Sequence, residues 1–310
     1  MGTHLVKHEQ CNFKNEDIIK RINDLNVSID SLYIQNGTVL NKVIDYSKLH
    51  ELRSCTKIVV SMAMGIAIEN KLFSLEENVY RYLEKYITND SNRNKIKKWT
   101  IRTLLTHTTG YDHMLMTNKE IIEKNLDKSK LHEYVLNYDI VNEVNTMYTY
   151  NNVEPFIISI LFKEKHNIDL EQYIKSNIFD KIDILDYKWE KYGEYCPGCT
   201  GLYLLPKDFH KLGMLILNDG VYNDISIIPN CWINEMIKLQ IETPDLVKAD
   251  RLFPKYGAGY FTFISRDGYI FRDGTNGQYI IINKDKGLVI SVMSSESDTS
   301  KVTEIFRNML

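Results

Sequence analysis

Residues 53 to 70, RSCTKIVVSMAMGIAIEN, are the stretch from which the fold of this chain can be worked out. Eleven consecutive residues within it, Ile58 to Ile68, are apolar, Gly or Ser, and none is charged. A helix that is apolar on every side is expected to lie in a protein core. Ser54 and Lys57 open the stretch three residues apart, so a serine and a lysine are predicted to share one face at the start of a buried helix.

The Ser54 and Lys57 pair has a chemical interpretation and a structural one. A hydroxyl is a weak nucleophile until a base removes its proton, and a desolvated lysine near a helix N-terminus can serve as that base. The structural alternative is that Ser54 caps the helix while Lys57 extends to solvent. Ser54 is the only serine in the chain with lysine three residues later, but this spacing alone leaves both interpretations open.

Composition places few limits on the function. The chain has 310 residues, a net charge of −3 and a pI of about 6.3, so neither a nucleic-acid partner nor a charged membrane surface is indicated. Its five cysteines are an odd number with irregular spacing, which favours reduced thiols. We expect a cytoplasmic protein without a membrane span, because no secretory signal is seen, or an exported one if a signal precedes the sequence given.

Strand patterns lie near the two ends of the chain. A helix is predicted over Asn15 to Leu25, followed by a hairpin that turns at residues 35–37. Short β-branched and aromatic runs between residues 256 and 295 alternate with glycine turns and predict an antiparallel meander. These strands can bury their apolar faces if the hairpin and the meander join in one sheet.

The middle of the chain, Ser54 to about Lys238, has mostly helical patterns. Ser74 and Glu77 have the spacing of a capping box and predict a helix start. A last helix is predicted with Thr299 or Ser300 near its cap. The chain is therefore expected to be an α+β protein with a sheet lobe and a helical lobe.

Two further motifs are weak when taken singly. Tyr150 and Asn152 flank one residue before an apolar run; near a lysine, a tyrosine can act as a phenolate base and an asparagine can orient the lysine. A polar turn before a helix would look the same. Further along, a strand runs into Arg272, Gly274 and Thr275, where a cation and a close backbone could bind an extended substrate, although a hairpin turn is the simpler interpretation.

Taken in order, the three motifs resemble a known set. Ser-x-x-Lys, then Tyr-x-Asn, then a cation-x-Gly strand is similar to the signature of the penicillin-binding-protein and serine β-lactamase superfamily. The tyrosine resembles its class C β-lactamase, D,D-peptidase and esterase branch. The segments LLTHTTG and GLYLLPKDFHKLGMLILNDG, and the ending GTNGQYIIINKDKGLVISV, also look like that branch, so the resemblance spans about residues 28–295.

The resemblance implies a β-lactamase/transpeptidase-like fold over one catalytic domain, residues 1–310. The sheet lobe would comprise about residues 1–56 and 245–310, and the helical lobe about residues 57–244. The implied roles are a nucleophile at Ser54, a base shared by Lys57 and Tyr150, substrate contacts at Asn152, Arg272, Gly274 and Thr275, and an oxyanion hole from the backbone N–H groups of Ser54 and Thr275. No cofactor and no metal are implied.

Arg272 departs from the family pattern, in which Lys or His begins the third motif. Arginine stays charged at any realistic pH, so Arg272 can bind a substrate carboxylate or favour the phenolate of Tyr150, but it cannot pass a proton. If Arg272 binds a carboxylate, its removal should weaken the binding of carboxylate-bearing substrates more than that of neutral esters.

Three other features have structural interpretations. His107 matches a family segment with a packing role, so a structural histidine is expected rather than a triad base. Cys196 and Cys199 imitate a redox motif but lack its βαβ context, and no second ligand pair accompanies them for zinc. Cys55, beside the nucleophile, is expected to pack in the core.

The expected reaction is acyl transfer from an amide or ester to water through an acyl-enzyme. The substrate is expected to be a small molecule or a peptide, with or without a carboxylate, and stays open among D-amino-acid peptides, β-lactams and small esters. The alternatives are an acyltransferase that uses the same serine, a non-catalytic binding protein on the same scaffold, and a thiol protein that uses Cys196 and Cys199.

Overall fold

Strands from the two ends of the chain meet in one sheet. The computed structural model describes residues 14–244, 255–307 and 309–310. The strands, in chain order, are β1 (Ile29–Asn36), β2 (Val39–Ile44), β3 (His50–Glu51), β4 (Tyr187–Trp189), β5 (Leu202–Leu204), β6 (Val221–Tyr222), β7 (Ile225–Ser226), β8 (Ile241–Glu242), β9 (Gly257–Ala258), β10 (Phe263–Ile264), β11 (Ile270–Gly274), β12 (Gln278–Asn283) and β13 (Leu288–Ser294). Eight of them form an antiparallel sheet in the order β2-β1-β13-β12-β11-β10-β9-β8, so the predicted joining of hairpin and meander is confirmed.

Helices make up most of the chain between β3 and β8. The α-helices are α1 (Asn15–Leu25), α2 (Thr56–Glu69), α3 (Tyr80–Leu83), α4 (Asp90–Ile96), α5 (Ile101–Leu105), α6 (Asn118–Glu123), α7 (Leu131–Asn137), α8 (Val153–His166), α9 (Leu170–Ile174), α10 (Pro206–Leu217), α11 (Asn230–Ile237) and α12 (Thr299–Glu304). A 3-10 helix, Arg53–Cys55, leads directly into α2. Within the described residues, every helix is too short or too polar to cross a bilayer.

The central strands are buried on both faces. Every residue of β12 and β13 is buried. Alternate side chains point to opposite sides: Ile280 and Val289 pack in the core that contains α10, whereas Ile281 and Ile290 pack in the core that contains α1 and α12. Glycine at position 213 of α10 allows this contact, because a Cβ there would lie 2.6 Å from Val289. The sheet therefore has helices on both faces.

Helix α2 lies in the core of the helical part, as its composition predicts. All of its residues except the last two are buried, including Lys57. Gly65 permits close packing between α2 and α11, since a Cβ at this position would overlap the Trp232 ring of α11. The Trp232 indole N–H donates to the Ser61 carbonyl at 2.9 Å, so α11 is fixed against the middle of α2.

One local prediction is wrong in detail. The Ser74 N–H does donate to the Glu77 carboxylate at 3.3 Å, but the chain turns there and α3 begins at Tyr80. Glu77 is also held by Lys165 at 2.6 Å, so its carboxylate does not cap a helix. The last helix is confirmed: it begins at Thr299, next to the capping residue Asp298, whose side chain accepts from the Ser300 N–H.

The meander also differs from its prediction at one place. One of the short runs predicted between residues 256 and 295 is YGAGYFTFIS. It contains two short strands, β9 and β10. A turn separates them, with the Gly259 N–H donating to the Thr262 carbonyl at 3.1 Å and Phe261 at a φ of 58°. The predicted lobe boundaries near residues 56 and 245 stay predictions. The N-terminal signal prediction and parts of the predicted sheet lobe fall on residues 1–13 and 245–254, which lie outside the described residues.

Candidate active site

Ser54 lies at the junction between the sheet and the helical part. It is the middle residue of the 3-10 helix that precedes α2. It lines a pocket together with other residues that come from distant parts of the sequence: Arg53, Tyr150, Asn152, Thr200 and Thr275. Three of the motifs found in the sequence therefore reach one pocket.

Lys57 connects Ser54 to the Tyr-x-Asn motif. Its side chain is fully buried, and its Nζ donates to Asn152 Oδ1 at 2.7 Å, to Tyr150 Oη at 2.9 Å and to Ser54 Oγ at 3.3 Å. An ammonium group has three N–H donors, and these are the three nearest oxygens; the Cys199 carbonyl lies farther away, at 3.5 Å. In this geometry Lys57 is a donor to the oxygens of Ser54, Tyr150 and Asn152.

Tyr150 receives hydrogen bonds from two cations. Lys57 Nζ and Arg272 Nη2, at 2.9 and 2.7 Å, both donate to its oxygen. Burial by itself would raise the pKa of the Tyr150 hydroxyl, but the charges of Arg272 and Lys57 and hydrogen bonds from Lys57 and Ser54 outweigh it and lower that pKa below its ordinary value. Tyr150 is therefore suited to hold a negative charge.

Arg272 lies behind Tyr150 rather than on the pocket wall. Its side chain is fully buried, and its Nε donates to the Ser54 carbonyl at 3.1 Å. The guanidinium carbon is 4.9 Å from the centre of the Tyr150 ring and 4.7 Å from that of Phe263. A substrate carboxylate could not reach this group without displacing protein. The geometry thus favours the alternative in which Arg272 stabilises the Tyr150 phenolate.

Gly274 allows strand β11 to approach the 3-10 helix that contains Ser54. A Cβ at this position would lie 2.9 Å from the Leu52 carbonyl oxygen and 2.9 Å from the Arg53 Cβ, closer than side-chain carbons normally approach. Without a side chain, β11 can end directly beside the 3-10 helix. Thr275, the next residue, then lines the same pocket as Ser54, as an oxyanion hole built from both would require.

A pair of asparagines positions the remaining wall of the pocket. The buried Asn151 accepts from the Leu115 N–H and donates to the His113 carbonyl, both at 2.9 Å. Asn152 donates to the Met116 carbonyl at 3.2 Å. These bonds hold a segment whose side chains complete the pocket: Met114, Met116, Thr117 and Asn118. Neither Asn151 nor this segment was predicted from the sequence to belong to the site.

His107 is buried beside Tyr150 and does not contact Ser54. Its Nδ1 lies 2.8 Å from Glu154 Oε2, and Glu154 accepts a second hydrogen bond, from Thr109, at 2.6 Å. Burial lowers the pKa of His107 despite the nearby carboxylate. The contacts agree with the structural interpretation of His107. Glu154 was missed, although a carboxylate at the start of the apolar helix α8 was a visible signal.

Three cysteines, Cys55, Cys196 and Cys199, have the properties of core residues. Cys196 and Cys199 are both buried and free, and burial raises the pKa of their thiols to about 12 and about 11. The Cys55 sulfur faces the Arg272 carbonyl at 3.5 Å, between the 3-10 helix and β11. Such thiols are poor sources of thiolate, which argues against the thiol-protein alternative. Within the described ranges, no group of three or more His, Cys, Asp or Glu side chains could hold a metal.

Solved structures with the same fold cover nearly the whole chain. The octameric penicillin-binding protein homologue from Pyrococcus abyssi has a TM-score of 0.74 at 16% identity, over 94% of this chain and 75% of that chain. The penicillin binding protein from Bacillus halodurans has a TM-score of 0.71 at 13% identity, over 100% of both chains. EstCE1, described as a hydrolase with promiscuous acyltransferase activity, has a TM-score of 0.75 at 12% identity, over 95% of this chain and 98% of that chain. The protein therefore has the α+β fold of β-lactamases and penicillin-binding proteins.

The sequence identifies the family as well as the fold. The profile of the Beta-lactamase family matches residues 40–222, more than half of the chain. The chain therefore belongs to the Beta-lactamase family, whose members are generally serine hydrolases, and the resemblance inferred from its motifs is confirmed. A comparison with curated protein sequences gave no match.

Proposed function

We propose that this protein is a serine hydrolase that cleaves ester or amide substrates through an acyl-enzyme on Ser54. The observation that supports the proposal most strongly is the position of Lys57, whose Nζ bonds to Ser54, Tyr150 and Asn152 at once. These bonds bring a hydroxyl nucleophile and a phenol of lowered pKa, both on the pocket wall, to one ammonium buried behind them. We further propose that the sheet lobe and the helical lobe act as one catalytic domain.

The first step forms the acyl-enzyme. The Ser54 Oγ bonds to the substrate carbonyl carbon while its proton passes to the Tyr150 phenolate, which Lys57 and Arg272 stabilise. The backbone N–H groups of Ser54 and Thr275 stabilise the negative charge that develops on the carbonyl oxygen. When the tetrahedral intermediate collapses, the bond to the leaving group breaks and the leaving group takes the proton from Tyr150. Asn152 keeps Lys57 in place and faces the substrate.

The second step releases the acid. Water attacks the acyl carbonyl, gives a proton to Tyr150, and Ser54 regains a proton as its bond to carbon breaks. If an alcohol or amine takes the place of water, the same chemistry transfers the acyl group. The acyltransferase alternative thus uses the same serine, and only the acceptor differs.

Two serine-to-alanine variants test the proposal, one in the 3-10 helix and one in helix α2. Ser54→Ala removes the nucleophile, whereas Ser61→Ala removes a buried hydroxyl that makes no hydrogen bond within the described part of the chain. We expect wild type and Ser61→Ala to hydrolyse p-nitrophenyl hexanoate. Both should also form a covalent adduct with a fluorophosphonate, which loses fluoride, and the adduct is detected as a gain in intact mass. Ser54→Ala should gain no mass and should lose on the order of 10³-fold or more in rate.

The other outcomes separate the alternatives. A wild-type protein that neither hydrolyses the ester nor reacts with the fluorophosphonate would be a binding protein. Hydrolysis that survives Ser54→Ala would exclude Ser54 as the nucleophile. Addition of a primary amine distinguishes transfer from hydrolysis, because an acyltransferase forms the amide in proportion to the amine.

A further inference from the structure

Arg53, the residue immediately before the nucleophile, has an unusual backbone conformation. Its φ is 51°, in the left-handed region that residues other than glycine rarely adopt. Its Cβ lies against the space that Gly274 leaves open. The side chain reaches the pocket wall next to Ser54 and is 31% exposed. The sequence analysis did not single out this residue.

An ion pair with Glu51 holds the Arg53 guanidinium at one edge. Arg53 Nη1 lies 2.7 Å from Glu51 Oε2. The other carboxylate oxygen of Glu51 accepts from Thr200 Oγ1 at 2.8 Å and from the Gly201 N–H at 3.1 Å. Glu51 is itself fixed, so it orients Arg53 from one side. A guanidinium has five N–H donors, and the Glu51 contact leaves most of them for a ligand.

Of the residues that line the pocket within the described ranges, Arg53 alone has a permanent charge. Lys57 and Arg272 are fully buried, and both are hydrogen-bonded to Tyr150. Lys255 lies near Tyr150 but is paired with Asp273 at 2.9 Å and is not part of the pocket wall. An anionic group entering the pocket would therefore meet Arg53.

We propose that Arg53 binds a carboxylate of the substrate and so selects anionic esters or amides over neutral ones. The proposal rests on the proposed function, because it concerns the substrate of the same serine. Arginine suits this role, since its planar fork matches a carboxylate with two parallel hydrogen bonds. Because Arg53 adjoins Ser54 in the chain, the carboxylate lies a few bonds from the scissile carbonyl, on its acyl or its leaving-group side.

Matched ester pairs measure this selection. On the acyl side, mono-p-nitrophenyl adipate and p-nitrophenyl hexanoate have six-carbon chains that differ in the terminal carboxylate. On the leaving-group side, meta-acetoxybenzoate and meta-acetoxybenzamide differ in the charge of one substituent. The readout is the ratio of kcat/KM between the anionic and the neutral member of each pair.

Three variants complete the experiment. Arg53→Asn removes the charge with a residue that tolerates the left-handed conformation, and Arg53→Lys keeps the charge without the fork. Arg81→Gln is the control, since it removes one positive charge from a side chain that is 70% exposed and does not line the pocket.

We expect wild type to prefer the anionic member of at least one pair. Arg53→Asn should lower kcat/KM for that substrate about 10- to 100-fold, mainly through KM, and leave the neutral ester nearly unchanged. The kcat/KM of Arg53→Lys for that substrate should lie between the values for wild type and Arg53→Asn. Arg81→Gln should have the kcat/KM of wild type.

The inference is overturned if wild type hydrolyses the neutral esters but has no anionic preference, or if Arg53→Asn affects both members of a pair equally. A wild type that hydrolyses none of the four esters and does not react with a fluorophosphonate would instead overturn the proposed function, and the inference with it.

Discussion

Two arginines lie close to Ser54, Arg53 next to it in the chain and Arg272 in strand β11, and they differ in burial. Arg272, in the third motif, is fully buried and donates to Tyr150 and to the Ser54 carbonyl. Arg53, outside every motif, is partly exposed on the pocket wall and is held by Glu51. Arg272, which the motif assigns to the substrate, is thus inside the protein. Arg53, which no motif includes, faces the pocket.

The comparison shows that burial decides what a cation near a nucleophile can do. A buried guanidinium has lost its water, and its charge acts on the groups that surround it, which here are Tyr150 and the 3-10 helix. An exposed one keeps donors for a ligand but acts more weakly through solvent. We therefore expect Arg272 to affect the chemical step with any substrate, and Arg53 to affect the choice of substrate.

Among variants that test the comparison of the two arginines, the largest effect is expected for Arg272→Met, which replaces the buried cation with an apolar side chain of similar length. The Tyr150 phenolate loses one of its two cationic donors, so kcat should fall about 10²-fold. The loss should be equal for p-nitrophenyl hexanoate and mono-p-nitrophenyl adipate. A larger loss with the adipate would return the carboxylate-binding role to Arg272. Circular dichroism and Arg272→Lys serve as controls for folding and for charge.

The pH dependence of the same variant gives an independent measurement. Tyr150 acts as a base when deprotonated, so the rate rises with pH through the pKa of Tyr150. The Arg272 charge lowers that pKa, and its removal raises it. The acid limb of kcat/KM for the neutral ester should therefore move to higher pH in Arg272→Met, and the deficit should shrink as pH increases. Arg53→Asn should leave the limb where wild type has it.

Much of the fold could be predicted because the spacing of apolar residues and the position of turn residues determine the local structure. The predicted run QYIIIN coincides with β12, and helix α1 has the predicted bounds, since each has a clear apolar pattern between polar turns. The capping box at Ser74 failed because the partner of Glu77 is Lys165, a residue distant in the sequence. Local patterns do not contain such contacts.

The site could be predicted only as far as its motifs extend. Ser54, Lys57, Tyr150 and Asn152 were named from their spacing and order, and the structure brings all four together. Arg53 depends on a positive φ and on the space above Gly274, neither of which has a signature in the residue type. Whether Arg272 faces the pocket or the core depends on Tyr150, which is remote in the sequence, and on Phe263 of the neighbouring strand β10.

A smaller effect is expected where the segments of the two arginines meet. Gly274→Ala places a Cβ 2.9 Å from both the Leu52 carbonyl oxygen and the Arg53 Cβ, so β11 must move away from the 3-10 helix. The amides of Ser54 and Thr275 then separate, and kcat should fall about 10-fold for neutral and anionic esters alike.

Gly268→Ala is the matched control for that variant. A Cβ there meets open space, but its φ of 74° strains an alanine. We expect Gly268→Ala to lower the melting temperature and leave kcat unchanged. If Gly274→Ala instead keeps wild-type kcat, the close approach of β11 has no catalytic consequence.

The smallest effect is expected for Glu51→Gln, which acts on Arg53 alone of the two arginines. Glutamine keeps an oxygen that can accept from Thr200 and Gly201, but it no longer offsets the charge of Arg53. KM for mono-p-nitrophenyl adipate should fall about 2- to 5-fold, because partly exposed ion pairs are weak, and KM for the hexanoate should not change. Glu76→Gln, which removes an exposed partner of Arg102, controls for net charge. An unchanged or higher KM for the adipate would mean that Glu51 serves to place Arg53 rather than to compete with the substrate for it.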